Sequence, residues 1–168
     1  MGEPHHEHRS TAPKAISCAV LTISDTRTME NDEGGRILAE GLAAAGHEVT
    51  AREILKDEPE RIVAAVATLA ERGVKAIVLT GGTGITRRDG TYEAVASILE
   101  KRLDGFGEIF RYLSYLEIGS AAILSRAQAG LCRGSIVISV PGSPAACRLA
   151  LEKLILPELR HMVREASR

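Results

Sequence analysis

The stretch from Thr80 to Gly90, TGGTGITRRDG, holds the densest set of residues able to do chemistry. Gly81, Gly82 and Gly84 let the backbone approach a ligand closely and leave N–H groups bare. Together with the hydroxyls of Thr80 and Thr83, such N–H groups suit phosphate oxygens, and Arg87 and Arg88 can add charge. The spacing is not that of a P-loop, because no G-x4-G-K-[ST] is present. Nor is it a dinucleotide fingerprint, because G-x-G-x-x-G is absent. A glycine-rich loop alone reads equally well as a tight turn. Arg-Arg-Asp directly after it, then a helix, favours anion binding.

Acidic residues stand close to this loop or in equivalent places. Asp89 precedes a helical pattern and could be its N-cap. In Asp57-Glu58-Pro59-Glu60 the spacing is that of a capping box before an apolar helical face, and spacing alone favours capping for Asp57. Ser24 and Asp25 follow an apolar run, where either a turn or a ligand role is open. Glu108 in Gly105-Phe106-Gly107-Glu108 suits the first turn of a helix, where the helix dipole favours an acid. Leu124-Ser125-Arg126 carries no distinct signal by itself, and Pro141-Gly142-Ser143-Pro144 reads as a turn.

These residues need a frame. Segments 15–23, 75–79 and 135–140 are continuous apolar runs rich in β-branched residues, as expected of strands buried on both faces of a parallel sheet. Segment 48–54 alternates and suits a place nearer an edge. Between them run helical faces: Ile37, Leu38, Leu42 and Ala45, stopped at Gly46; Ile62, Val63, Val66 and Ala70, stopped at Gly73; and Tyr92, Val95, Ile98 and Leu99. The last helix carries Leu151, Leu154, Ile155, Met162 and Val163, with a kink expected at Pro157. In residues 103–131 short helices are expected around 106–116 and 120–129. The order β-α-β-α-β-loop-α predicts right-handed crossovers with helices on both faces. In such a sheet ligands sit at the carboxyl ends of the strands, where the unusual loops fall.

Bulk properties narrow the function. The 168 residues suit one domain, and 45% apolar with 26% charged residues is a globular balance able to build a core. A formal net charge of −1, 3% aromatics and no Trp argue against a nucleic-acid partner. Cys18, Cys132 and Cys147 form no C-x-x-C pair, so they read as free thiols in a reducing cytosol, and no zinc site is expected. No apolar run approaches the ~20 residues of a membrane span, and no targeting core opens the chain. A cytoplasmic protein is the expectation. Residues 1–13, with His5, His6 and His8, are expected to be a flexible tail rather than a metal site, leaving one domain over 14–168.

Taken together, ISD (23–25), TGGTG (80–84), RRD-x-T-x-EA (87–94), GFGEIFR (105–111), AILSRAQAG (122–130) and VPGSPAAC (140–147) resemble the MoaB/MogA family of molybdenum-cofactor biosynthesis proteins, with the ending more similar to the MoaB branch. Their order and spacing match over roughly 150 residues, and motifs in register are more specific than any one of them. The resemblance implies the molybdopterin-binding three-layer α/β/α fold with a mostly parallel sheet, and a homotrimer or homohexamer. It also implies transfer of AMP from ATP to the terminal phosphate of molybdopterin with release of pyrophosphate. Asp57 and Asp89 match the family's two essential acids. Ser24, Asp25, Thr80, Gly81, Gly82, Thr83, Gly84, Glu108, Ser125, Pro141, Gly142 and Ser143 fall in its ligand loops. Where the family commonly has a branched residue after the second acid, this chain has Gly90-Thr91-Tyr92.

A phosphomonoester with a second pKa near ~6 is already anionic at neutral pH, so no strong base is needed. The barrier is to bring two polyanions together, and carboxylates such as Asp57 and Asp89 are natural Mg²⁺ ligands for that purpose. The expected enzyme is therefore a Mg²⁺- and ATP-dependent molybdopterin adenylyltransferase. A non-catalytic molybdopterin carrier of the same pathway is the alternative. Apolar Leu113, Tyr115, Leu116 and Ile118 are candidates for a subunit interface.

Overall fold

The computed structural model describes residues 15–168, so the expectation for the 1–13 tail lies outside the described residues. Within them, the apolar runs form strands β1 (Ser17–Ile23), β3 (Ala76–Thr80) and β6 (Ser135–Val140). The alternating segment forms β2 (Glu48–Leu55), and β4 (Lys101–Arg102) and β5 (Gln128–Cys132) complete a sheet ordered β2-β1-β3-β6-β5-β4. The four strands β2-β1-β3-β6 are parallel; β5 and β4 are antiparallel additions. β2 is an edge strand, as its alternation predicts.

Successive side chains of a strand point to opposite faces, so each central strand feeds two cores. On one face Cys18, Val20, Val78, Ile136 and Ile138 meet α1 (Glu33–Ala44), α4 (Asp104–Ile118), α5 (Pro144–Ala150) and α6 (Leu156–Ala166) through Leu38, Phe110, Cys147 and Leu159. On the other, Ala19, Leu21, Ile77, Leu79 and Val137 meet α2 (Pro59–Glu71) and α3 (Thr91–Ile98) through Ile62, Val66 and Val95. The result is a three-layer α/β/α fold. No helix among the described residues is long and apolar enough to cross a membrane.

Two expectations change. Residues 120–129 are not a helix: a 3₁₀ turn covers Gly119–Leu124, and the chain then enters β5. A two-residue turn, Arg133 (φ 49) and Gly134 (φ 77), joins β5 to β6; left-handed backbone at both central positions is the hairpin geometry that matches strand twist. Gly130 is needed in β5, since a Cβ there would stand 2.4 Å from the Lys101 carbonyl oxygen of β4. Near Pro157, the last helix widens into a π turn at Leu151–Ile155 before α6 begins, which accommodates the proline's missing donor.

The three cysteines are free and buried. Burial pushes the Cys18 thiol up to about 12 and Cys147 to about 11, so neither is a thiolate at neutral pH.

Asp32 fixes the start of α1. Its carboxylate accepts from Gly35 N (2.9 Å), from Thr22 Oγ1 at the end of β1 (2.8 Å) and from Arg52 of β2 (3.0 Å). Asp32→Ala removes a cap and leaves a half-buried guanidinium unpaired. The expected cost is about 3 kcal/mol by urea unfolding. Asp32→Asn, which keeps the cap, should cost less; equal losses would show that the Arg52 pair, not the cap, carries the effect.

Candidate functional site

The parallel strands deliver four loops side by side at their carboxyl ends. β2 ends at Leu55 and leads to Asp57; β1 ends at Ile23 and leads to Ser24 and Asp25; β3 ends at Thr80 and leads to the glycine-rich loop; β6 ends at Val140 and leads to Pro141-Gly142-Ser143. The loops meet through bare backbone. Gly81 adopts φ +93, and a Cβ on it would lie 2.3 Å from the Ile23 carbonyl oxygen. A Cβ on Gly142 would lie 3.2 Å from Gly81 Cα.

Neither aspartate is an ordinary cap of the helix that follows it. Glu58 occupies the N-cap of α2 and Gly90 that of α3, and neither helix has a side-chain cap bond. Asp57 instead turns across the sheet end, where its Oδ1 accepts from Gly90 N (3.1 Å). Its carboxylate thus covers the start of α3 from a neighbouring loop, where the helix dipole favours it. Burial is the largest influence on Asp57 and raises its pKa, with Asp89 and Asp25 adding repulsion. Asp89 Oδ2 accepts from Thr86 N (2.9 Å) and Thr86 Oγ1 (2.5 Å), closing the loop on itself. Gly90 fits this arrangement, because a Cβ there would crowd Pro59 Cγ at 3.1 Å and Asp57 Oδ1 at 3.3 Å.

Asp25 and Arg88 form a two-pronged ion pair, Nε–Oδ2 2.6 Å and NH2–Oδ1 2.8 Å, that ties the β1 loop to the glycine-rich loop. This bond holds the Asp25 carboxyl at about 2. Arg88 is therefore engaged with protein, whereas Arg87 is exposed and makes no ion pair among the described residues. The Asp57 backbone N–H also donates to Asp25 Oδ1 (3.3 Å).

Other predicted positions divide by where their polar atoms go. Ser24 Oγ accepts from the N–H groups of Thr26 and Arg27, and Ser143 Oγ caps α5 through Ala146 N. Thr80 is buried; its hydroxyl donates to Pro141 O (3.1 Å) and joins the β3 and β6 loops from beneath. In contrast, the N–H groups of Gly82, Thr83, Gly84 and Ile85 donate to no acceptor among the described residues. Ser125 Oγ is buried without a partner, as is Oγ1 of Thr91. Glu108 lies on α4 in a neighbouring cleft of about 160 Å³ with Tyr92, Arg102, Arg111 and Gln128.

The chain holds no ready-made metal cage: no group of three or more His, Cys, Asp or Glu is arranged as a metal site among the described residues. Asp57 and Asp89 nevertheless border one loop. A Cβ on Gly82 would lie 2.3 Å from Asp57 Oδ2, and one on Gly84 2.6 Å from Asp89 Oδ2. That arrangement fits Mg²⁺ held by one or two carboxylates and completed by water and phosphate oxygens, which is its common mode.

Residues that the sequence left unassigned also build the site. Asp32 and Arg52 anchor its floor, and a Cβ on Gly34 would lie 3.0 Å from Cys147 Sγ and 3.2 Å from Gly142 O. Arg126 reaches the glycine-rich loop from behind, bonding Thr83 O (2.9 Å), Gly84 O and Glu93. Its bond to Glu93 holds that carboxyl below the usual range.

A mostly parallel α/β domain with four loops and free backbone amides gathered at the carboxyl edge of its sheet belongs to the class of α/β proteins that carry a ligand site at the strand ends. Residues 19–161 match the family described as "Probable molybdopterin binding domain". Molybdenum cofactor biosynthesis protein B of Bacillus cereus is 52% identical over 164 residues, covering 96% of this chain and 97% of that one. A crystal structure of a molybdenum cofactor biosynthesis protein B superimposes with TM-score 0.89 at 52% identity, covering 94% of this chain and 99% of that one. The tungsten cofactor synthesizing protein MoaB from Pyrococcus furiosus does so with TM-score 0.85 at 37% identity, covering 94% and 100%. The chain belongs to the MoaB branch of the molybdopterin-binding family of molybdenum cofactor biosynthesis proteins.

Gly82 offers a local test. It has φ +63, and a Cβ would lie 2.2 Å from Thr91 Oγ1 and 2.3 Å from Asp57 Oδ2. Gly82→Ala should cost about 2 kcal/mol or more by chemical unfolding. Gly105→Ala, on α4 with nothing within 4 Å of the new Cβ, should be neutral or stabilise by about 0.5 kcal/mol.

Proposed function

We propose that this chain binds molybdopterin at the carboxyl edge of the sheet and adenylylates it with Mg-ATP. The observation that supports this reading most is the run of unpaired N–H groups at Gly82–Ile85 beside Asp57 and Asp89. Unpaired amides in a glycine-rich turn are an anion cradle, and two adjacent acids would oppose an anion unless a cation stood between them.

In the reaction, an oxygen of the terminal phosphate of molybdopterin attacks the α-phosphorus of ATP. The new P–O bond forms as the bond to the bridging α–β oxygen breaks, and pyrophosphate leaves with the electron pair. The attacking oxygen is already ionised, so the chain need not remove a proton. Its residues bind and orient: the amides of 82–85 would hold phosphate oxygens, and the 141–143 turn, packed against Gly81, would border them. Bound Mg²⁺, held by Asp57 and Asp89, would neutralise the polyphosphate. If turnover is absent while pterin binding persists, the protein is instead a molybdopterin carrier.

The same reading includes a homotrimer or homohexamer. Tyr115, Leu116 and Ile118 are exposed as expected, and Ile109, Tyr112, Ile123 and Leu124 extend their apolar face; Leu113 packs partly into the core instead. Light scattering at micromolar protein should give three or six subunits, and a monomer mass would remove this part of the proposal.

Pyrophosphate release with molybdopterin and Mg-ATP tests the reaction. Asp57→Asn and Asp89→Asn should each lower turnover by on the order of a hundredfold or more while leaving pterin binding intact. Because burial raises the Asp57 pKa, its ionised form is disfavoured by the fold. At limiting substrate, kcat/KM should therefore rise with pH through a value above the ordinary ~3.9, while Asp57→Asn should not lower the melting temperature above that pH. Near-normal turnover in both variants would remove the catalytic assignment.

A further inference from the structure

Arg126 stands outside the residues that would touch substrate, yet its guanidinium is almost fully committed. Nε donates to Thr83 O at 2.9 Å, NH2 donates to Gly84 O, and NH1 and NH2 both reach the Glu93 carboxylate. The group also lies over the Tyr92 ring, 4.9 Å from its centre. One side chain thus joins the glycine-rich loop, the first turn of α3 and the segment that leads into β5.

The direction of these bonds matters. Across a planar trans peptide, the C=O of one residue and the N–H of the next point in opposite directions. With Thr83 O and Gly84 O turned toward Arg126, the N–H groups of Gly84 and Ile85 must point away from it. Those N–H groups, with Gly82 N and Thr83 N, have no acceptor among the described residues. Thr91 N holds the 82–83 peptide through Gly82 O (3.0 Å) and Asp89 holds Thr86 N, but among the described residues only Arg126 bonds the 83–84 and 84–85 peptides, and rotation of either would break the cradle.

We propose that Arg126 is a positioning residue: by holding the carbonyls of Thr83 and Gly84, and being held in turn by Glu93 and Tyr92, it keeps the Gly84 and Ile85 amides turned outward as part of an anion cradle. This rests on the phosphate-binding reading of that loop, but it assigns Arg126 a role in geometry rather than in charge. Lysine keeps the charge and lacks the planar fork, so it cannot hold two carbonyls and a carboxylate at once. A residue that merely attracted anions would tolerate that change.

Two measurements on Arg126→Lys and Glu93→Gln separate these roles. Binding of pyrophosphate with Mg²⁺ is followed by titration calorimetry. Loop order is followed without ligand, as the rate of tryptic cleavage at Arg87 and Arg88, mapped by mass. For Arg126→Lys, binding should weaken roughly tenfold or more, and cleavage in the loop should accelerate. Glu93→Gln, which keeps the fork but loosens its anchor, should fall between wild type and Arg126→Lys on both readouts. It also serves if Arg126→Lys does not fold. Binding within twofold of wild type and unchanged cleavage in the folded variants would overturn the proposal. If wild type itself binds neither pyrophosphate nor molybdopterin, the phosphate reading fails, and the cleavage rates alone decide whether Arg126 holds the loop; unchanged rates overturn it.

Discussion

Between the ends of β1, β3 and β6 there is no room for a side chain at position 81. The Ile23 carbonyl lies on one side of Gly81, and Gly142 on the other. This backbone contact makes the separate loops one surface. The in-register parallel pairing of β1, β3 and β6 brings their ends level, and the bare glycines let the ends touch. Thr80, from beneath, donates to Pro141 O and locks the same junction. With the floor fixed, small side chains above it can be held to the tolerance that a binding site requires.

A second layer of contacts orients what stands on that floor. Asp32 ties α1 to β1 and β2, so the first helix begins directly under the 141–143 turn. Asp25 and Arg88 join the first loop to the third, and Asp57 joins the second loop to the start of α3. Arg126 closes the ring from the far side. Each of these is a polar group satisfied by a partner distant in sequence, which favours one loop arrangement over alternatives of similar packing.

Much of this architecture was legible in the residues. Continuous apolar runs gave β1, β3 and β6, alternation placed β2 at an edge, and the glycine-rich, Ser-Asp and Pro-Gly loops fell at strand ends. What escaped was tertiary. Gln128-Ala129-Gly130 lacks the β-branched residues that mark a strand; it becomes one because a hairpin turn returns the chain against β6 and Gly130 admits β4. Asp57 has the local spacing of a cap, yet its carboxylate finds Gly90, 33 residues away. Arg126 contacts residues 33 and 43 positions away, a separation that no local pattern reports. For Thr80, the sequence shows a hydroxyl beside a glycine loop but not that the hydroxyl points down into the sheet junction.

The three aspartates at the strand ends are treated differently, and the difference bears on how the proposed site would work. Asp25 is neutralised by Arg88 and stays ionised far into acid. Asp89 is bound to its own loop through Thr86. Asp57 is buried with its charge disfavoured, close to the cradle that would receive phosphate. At an effective dielectric near 20, two like charges about 5 Å apart repel by roughly 3 kcal/mol, enough to cancel several good hydrogen bonds. A polyanion and an ionised Asp57 are therefore poor neighbours unless a proton or a divalent cation joins them. Linkage makes the effect mutual: whatever cation lets phosphate bind is itself bound more tightly once phosphate is there. On the proposed reading, then, burial disfavours the Asp57 charge in the free site, and a cation beside it would offset that cost. The coupling would hold between that cation and the nucleotide phosphates it accompanies, and not the pterin, whose binding Asp57→Asn should leave intact.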